Sequence, residues 1–156
     1  MRILERLIVA LIFVSASFGQ LLAEEANIEG MPIKIGDTYD RVKQAYDTSL
    51  TPEPVRSIHD GETGVHLKTR GVWFFFAKDG RIDTIRLDAP FQGAVNGVRI
   101  GDTTARLRDV LGEPVKTLKP PITPEHEAYV YYIDDQTTAR FDVDDDNKIE
   151  TVFLFK

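Results

Sequence analysis

The tetrapeptide Ile-Gly-Asp-Thr stands at positions 35–38 and again at 100–103, and its surroundings recur with it. Residues 33–46 read IKIGDTYDRVKQAY, and residues 98–111 read VRIGDTTARLRDVL. Gly36/Gly101, Asp37/Asp102, Thr38/Thr103 and Arg41/Arg106 coincide, 65 positions apart. Downstream, DGRIDTIRL at 79–87 matches DNKIETVFL at 146–154, now 67 positions apart. Two matches in one order at nearly one offset imply that the chain carries one unit of about 60 residues twice.

The unit has a local reading. Asp or Thr after the glycine suits a helix N-cap, where a side-chain oxygen accepts a free backbone N–H. Val42, Ala45 and Tyr46, like Leu107, Val110 and Leu111, recur at helical spacing and define a short amphipathic helix. Gly112 and Pro114 stop the second one. A Pro-bearing connector follows each helix, and then three strand-like runs: 64–69, 72–78 and 81–88, matched by 128–133, 138–143 and 148–155. Asp79-Gly80 and Asp146-Asn147 suit tight hairpin turns. The expected fold class is therefore α+β: two tandem helix-plus-three-stranded-meander repeats, 31–90 and 96–156, with helices on one face of an antiparallel sheet, the two meanders forming one sheet or two abutting ones.

The first 23 residues read as a secretory signal peptide. Arg2 and Arg6 precede an apolar run, and small residues lead to a cut after Ala23. The run is shorter than the roughly 20 residues that span a bilayer; an uncleaved anchor is the alternative. The remainder, 24–156, is expected to be one exported, periplasmic or secreted domain without stable membrane insertion. Cysteine is absent, which excludes disulfides, thiolate metal sites and a lipidated cysteine. Without Arg2, Arg6 and Glu5 the balance is 17 basic to 24 acidic residues. That argues against nucleic acid and anionic lipid, and fits a partner protein that is basic.

Matched positions assign the sheet faces. Phe74 and Phe76 fall on Phe141 and Val143, whereas Trp73 and Phe75 fall on the charged Arg140 and Asp142. Trp73 and Phe75 are therefore expected to point away from the core. By the same comparison Ile85, Leu87, Val152 and Leu154 face inward, and Arg86 and Phe153 outward. His66 and Tyr132 join them on the outer face, opposite Val65, Leu67, Tyr131 and Ile133. An antiparallel sheet with one covered face should be polar on the other. Here that face would present Trp73, Phe75, Tyr132, Phe153, Arg86, Arg140 and His66, the residue types of protein-binding hot spots. The alternative is that residues 27–32 or a connector cover Trp73 and Phe75.

Catalytic patterns are missing. Ser49 and Ser57 lie in no nucleophile-elbow setting, and no glycine-rich phosphate loop is present. His59 and His126 lie in connectors beside acidic residues at no metal-ligand spacing, and read as solvated. Asp142, Asp144 and Asp146 begin like a calcium loop, but Phe153 stands where a bidentate glutamate is needed. No enzyme activity, cofactor or metal is expected.

The IGDT helix start, the Leu-Gly-Glu-Pro stop at 111–114 and the Arg/Lys-Ile-x-Thr hairpin resemble the repeat of two groups, the β-lactamase-inhibitor-protein fold and the SmpA/OmlA outer-membrane assembly lipoproteins. The inhibitors clamp a target enzyme with an aromatic sheet face. The lipoproteins have one copy and a lipidated cysteine, whereas this chain has two copies and no cysteine. The resemblance implies a non-catalytic protein binder that inhibits an enzyme or neutralises a toxin as an immunity protein. Glu125 and Glu127, with the net charge, are expected to meet a basic target and speed association. A structural envelope scaffold and a small-ligand binder are the alternatives.

Overall fold

The computed structural model describes residues 26–55, 62–120 and 126–156. The proposed leader, Ser57, His59 and Glu125 lie outside the described residues.

Both Ile-Gly-Asp-Thr turns are built alike, for a physical reason. Gly36 and Gly101 adopt φ of +93° and +89°, a left-handed conformation that a Cβ disfavours. Asp37 Oδ2 accepts from the Lys34 N–H at 3.0 Å, and Asp102 Oδ2 from the Arg99 N–H at 2.8 Å. The aspartates thus close the turns, and the threonines occupy the N-cap positions. Each turn is then fastened to a distant strand. Gly36 N–H donates to Ile82 O, and Ile82 N–H donates to Asp37 O, at 2.7 and 2.8 Å. Gly101, Ile149 and Asp102 repeat that exchange at the same distances. This explains why the turn motif and the hairpin motif occur together in the sequence.

Helix α1 covers Tyr39–Tyr46 and α2 covers Thr104–Leu111. α1 ends on Asp47 at φ +47°, and α2 on Gly112 at φ +79°. The strands are β1 (Glu53–Pro54), β2 (Thr63–Leu67), β3 (Val72–Phe76), β4 (Ile82–Asp88), β5 (Ala94–Val95), β6 (Val98–Arg99), β7 (Lys116–Leu118), β8 (Ala128–Tyr132), β9 (Thr138–Val143) and β10 (Ile149–Phe155). Eight form one antiparallel sheet in the order β1-β2-β3-β4-β10-β9-β8-β7, and β5 and β6 form a separate hairpin.

This architecture corrects the expected fold class. The molecule is a mostly antiparallel eight-stranded sheet with two short helices, not two tandem helix-plus-three-stranded-meander repeats. Three physical causes separate the two. Each helix is only eight residues long and buries a single residue fully, Val42 or Leu107, so neither is a structural layer of its own. The connectors do not merely connect: Glu53–Pro54 and Lys116–Leu118 pair with β2 and β8 and become the sheet edges, where a proline costs no ladder bond. Finally, β4 and β10 pair over five residues, Thr84–Asp88 against Thr151–Phe155, and make the sheet continuous.

The core lies on one face of that sheet. Phe74, Phe76, Ile82, Ile85, Leu87, Phe141, Ile149 and Leu154 are almost fully buried, joined by Ile33, Val42 and Leu107. Tyr46 packs on Phe74 and Tyr39 on Phe76, so α1 covers this face. Residues 27–32 lie beside β5. Ile28 bridges Val95, Glu29 N–H donates to Ala94 O, and Ile28 and Met31 pack against the core. Among the described residues, no helix is long and apolar enough to cross a membrane.

Candidate functional site

Strand register carries one row of side chains straight across the opposite face. His66 of β2 pairs with Trp73 of β3, Trp73 with Arg86 of β4, and Arg86 with Phe153 of β10. Phe153 pairs with Arg140 of β9, Arg140 with Val130 of β8, and Val130 with Lys116 of β7. Paired residues share a face. A second row, Gly64, Phe75, Thr84, Phe155, Thr138 and Tyr132, runs parallel to it. All seven candidate residues read from the sequence therefore meet on one face. Tyr132 is 73% exposed; the other six are partly exposed. Val130, Lys116 and Phe155 were not singled out. Two-residue alternation from Phe153 points to Phe155, whereas Lys116 sat in a stretch read as a connector.

The rings stand in stacks. His66 lies on Trp73 with centroids 3.9 Å apart and planes 11° apart, and Trp73 is parallel to Phe75 at 5.7 Å and 4°. Arg140 packs its guanidinium over Phe153 at 4.2 Å, and Arg86 does so at 5.7 Å. A guanidinium over a ring face is held by the ring quadrupole. Burial pushes the His66 imidazole below its ordinary range; Asp88 opposes this, and Lys68 and Arg86 add to it.

Each arginine has an aspartate two residues along its own strand. Arg140 Nε and Nη2 donate to Asp142 Oδ1 and Oδ2 at 2.7 and 2.9 Å, a bidentate pair. Arg86 Nε is 2.8 Å from Asp88 Oδ2. That contact lacks hydrogen-bond alignment, and the buried Nε is left without a hydrogen-bond partner. Burial pushes the Asp142 carboxyl up, against the bond and charge of Arg140. Asp142, Thr151 and Ala128 are buried, so the row carrying the aspartates is sunk beside the row carrying the arginines.

Among the described residues, covering is partial; 56–61 of the first connector lie outside them. Residues 27–32 lie beside β5, with Ile28 and Met31 on the core. Val55, just beyond β1, does reach this face: its Cγ1 lies 2.8 Å from where a Cβ on Gly64 would stand, beside Phe75. Trp73 and Phe75 are thus walled by neighbours while their outer edges stay accessible.

The remaining candidates resolve as structure. Asp144 Oδ1 accepts from Asp146 N–H and Lys148 N–H, both at 2.9 Å, so the acidic run is the β9–β10 turn. His126, which the sequence places in a solvated connector, is instead largely buried. Its side chain is 15% exposed, with Nε2 3.3 Å from Asp145 and Nδ1 3.4 Å from Glu150. Among the described residues no group of three His, Cys, Asp or Glu side chains is placed to hold a metal ion.

No family model matches the chain, and no curated protein matches it. Among solved structures it is similar to a DUF4309-family protein, YjgB, from Bacillus subtilis, with a TM-score of 0.51 and 22% identity. The match covers 76% of this chain and 78% of that one, and at this identity it concerns the fold alone.

Proposed function

We propose that this chain is a non-catalytic, exported protein-binding module of the periplasm that inhibits an enzyme or neutralises a toxin through the outer face of its sheet. The observation that carries this reading is the in-register row from His66 to Lys116, in which aromatic rings alternate with arginines on a face that the helices leave open. Aromatic and arginine side chains dominate the energetics of protein interfaces, burying large area while retaining polar or charged ends. In this reading Trp73, Phe75, Tyr132 and Phe153 are anchors, and Arg86, Arg140 and His66 orient the partner. The acidic balance of the whole chain speeds encounter with a basic target. The resemblance to enzyme-inhibiting proteins drawn from the sequence motifs is a second support.

The test is affinity capture by the tagged chain from periplasmic extract and from the secreted proteins of competing strains. The expected result is one stoichiometric enzyme or toxin whose activity falls on binding and which Trp73→Ala releases. Recovery of envelope assembly components would replace inhibition by a scaffold role. Capture unaffected by both Trp73→Ala and Tyr132→Ala would remove the face from the argument.

A further inference from the structure

Resting on the reading of this face as protein-binding, we infer that Arg86 is its charged anchor and receives a carboxylate of the partner, in a slot walled by Trp73 and Phe153. Arg140 orients the partner indirectly, by holding the Phe153 ring.

The two arginines look equivalent in sequence but differ in what already satisfies them. Arg140 spends Nε and Nη2 on both oxygens of Asp142 and lies 4.2 Å over Phe153. It is fixed by two partners, a carboxylate and a ring, and its side chain is 27% exposed. Arg86 touches Asp88 at one nitrogen without hydrogen-bond alignment, stands 5.7 Å from the Phe153 ring, and is 39% exposed. A guanidinium has five donors and favours planar, two-pronged acceptors. Arg86 Nε is buried, so what it offers a partner is its two terminal nitrogens, which make no hydrogen bond among the described residues, and its in-register neighbours on both sides are aromatic. Water excluded by two rings strengthens a charge-assisted bond between them.

Charge complementarity selects the occupant. In the central row every charged group is basic: Arg86, Arg140 and Lys116, with His66 at one end. The aspartates are less exposed than their arginines, 21% against 39% and 11% against 27%. A second copy of this chain would set that basic row against its own equivalent. A sugar ring needs an open aromatic face, and one face of Trp73 is taken by the His66 ring at 3.9 Å. A carboxylate carried beside an apolar side chain meets both the cation and the ring edges. The partner can be basic overall and still present this one acidic group.

Trp73 is the only tryptophan in the chain and stands next to Arg86, so its fluorescence reports the slot. The probe is the blocked tripeptide acetyl-Glu-Phe-Glu-amide titrated into the full chain, with the Gln-Phe-Gln and Lys-Phe-Lys analogues as controls. The expected result is a saturable change with the acidic peptide and about tenfold weaker binding of the glutamine analogue. Arg86→Gln erases that preference, whereas Arg140→Gln loosens the Phe153 wall and weakens the acidic and glutamine peptides alike, so their ratio persists. No response to the acidic peptide, tighter binding of the lysine peptide, or a preference that survives Arg86→Gln overturns the assignment. Should Arg86→Gln fail to fold, the salt series of the unaltered chain decides, since binding that does not weaken with salt also overturns it. Failure here leaves the protein-binding reading intact, because capture and release by Trp73→Ala test that separately.

Discussion

Trp73 and Tyr132 share the outer face, but only Trp73 is built into a stack. Tyr132→Ala removes a side chain that is 73% exposed, so unfolding stability should stay within about 0.5 kcal/mol while binding is lost. Trp73→Ala also removes the contacts with His66 and Phe75 and should cost about 1–2 kcal/mol. Urea unfolding of the two variants separates the cases; collapse of the Tyr132 variant would place that ring in the core. His66 gives the face a pH dependence. Burial lowers its folded-state pKa, so in the window just below about 6.5 the unfolded chain binds more protons than the folded one. This contribution to stability is full above that window and is lost as pH falls through the folded-state value. The urea midpoint should therefore drop between pH 7.5 and pH 5, and by less in His66→Gln. The choice of outward residues was legible from matched positions, since a charge at Arg140 or Asp142 rejects the core. The difference between Arg86 and Arg140 was not, because it lies in angles and distances to their aspartates.

At the scale of elements, equal sequence does not guarantee equal energetics. Thr103 accepts from the Arg106 N–H at 3.2 Å, whereas Thr38 makes no side-chain capping bond. Thr103→Ala should cost about 1 kcal/mol and Thr38→Ala clearly less, as thermal unfolding will read. The turn before β3 is more demanding. Gly71 sits at φ +65°, and a Cβ there would lie 2.0 Å from Asp88 O. Gly71→Ala should destabilise by roughly 3 kcal/mol or more, and an unchanged melting temperature would mean that the backbone relaxes freely. Helix starts, hairpin turns and the six long strands were readable within one or two residues, because each is specified by local capping, turn chemistry and alternation. β1 and β7 were not. A two- or three-residue edge strand with proline nearby has no periodicity of its own, and it exists because β2 or β8 offers a free ladder edge.

For the whole molecule, the decisive contact is the β4–β10 ladder. Leu87 pairs with Val152 and Ile85 with Leu154, all buried, so both ends of the sheet share one core. Unfolding should be a single transition, with Trp73 fluorescence and far-ultraviolet circular dichroism coinciding. A fragment of residues 26–90 should not fold alone, because β4 would become an exposed apolar edge. Separate transitions, or a cooperatively folded fragment, would show that the ladder is dispensable.

The sequence by itself determined which turns and hairpins form, and which side chains of each strand face the core. Those properties follow from capping chemistry, glycine conformations and two-residue alternation, all local. Only the tertiary structure decided that the strands make one continuous eight-stranded sheet with the helices as minor cover. It also decided that His66, Trp73, Arg86, Phe153 and Arg140 fall in one line, and which arginine is left with donors to offer. Register between β4 and β10, distant in the chain, is set by shared burial and ladder geometry, which no local pattern in the chain encodes.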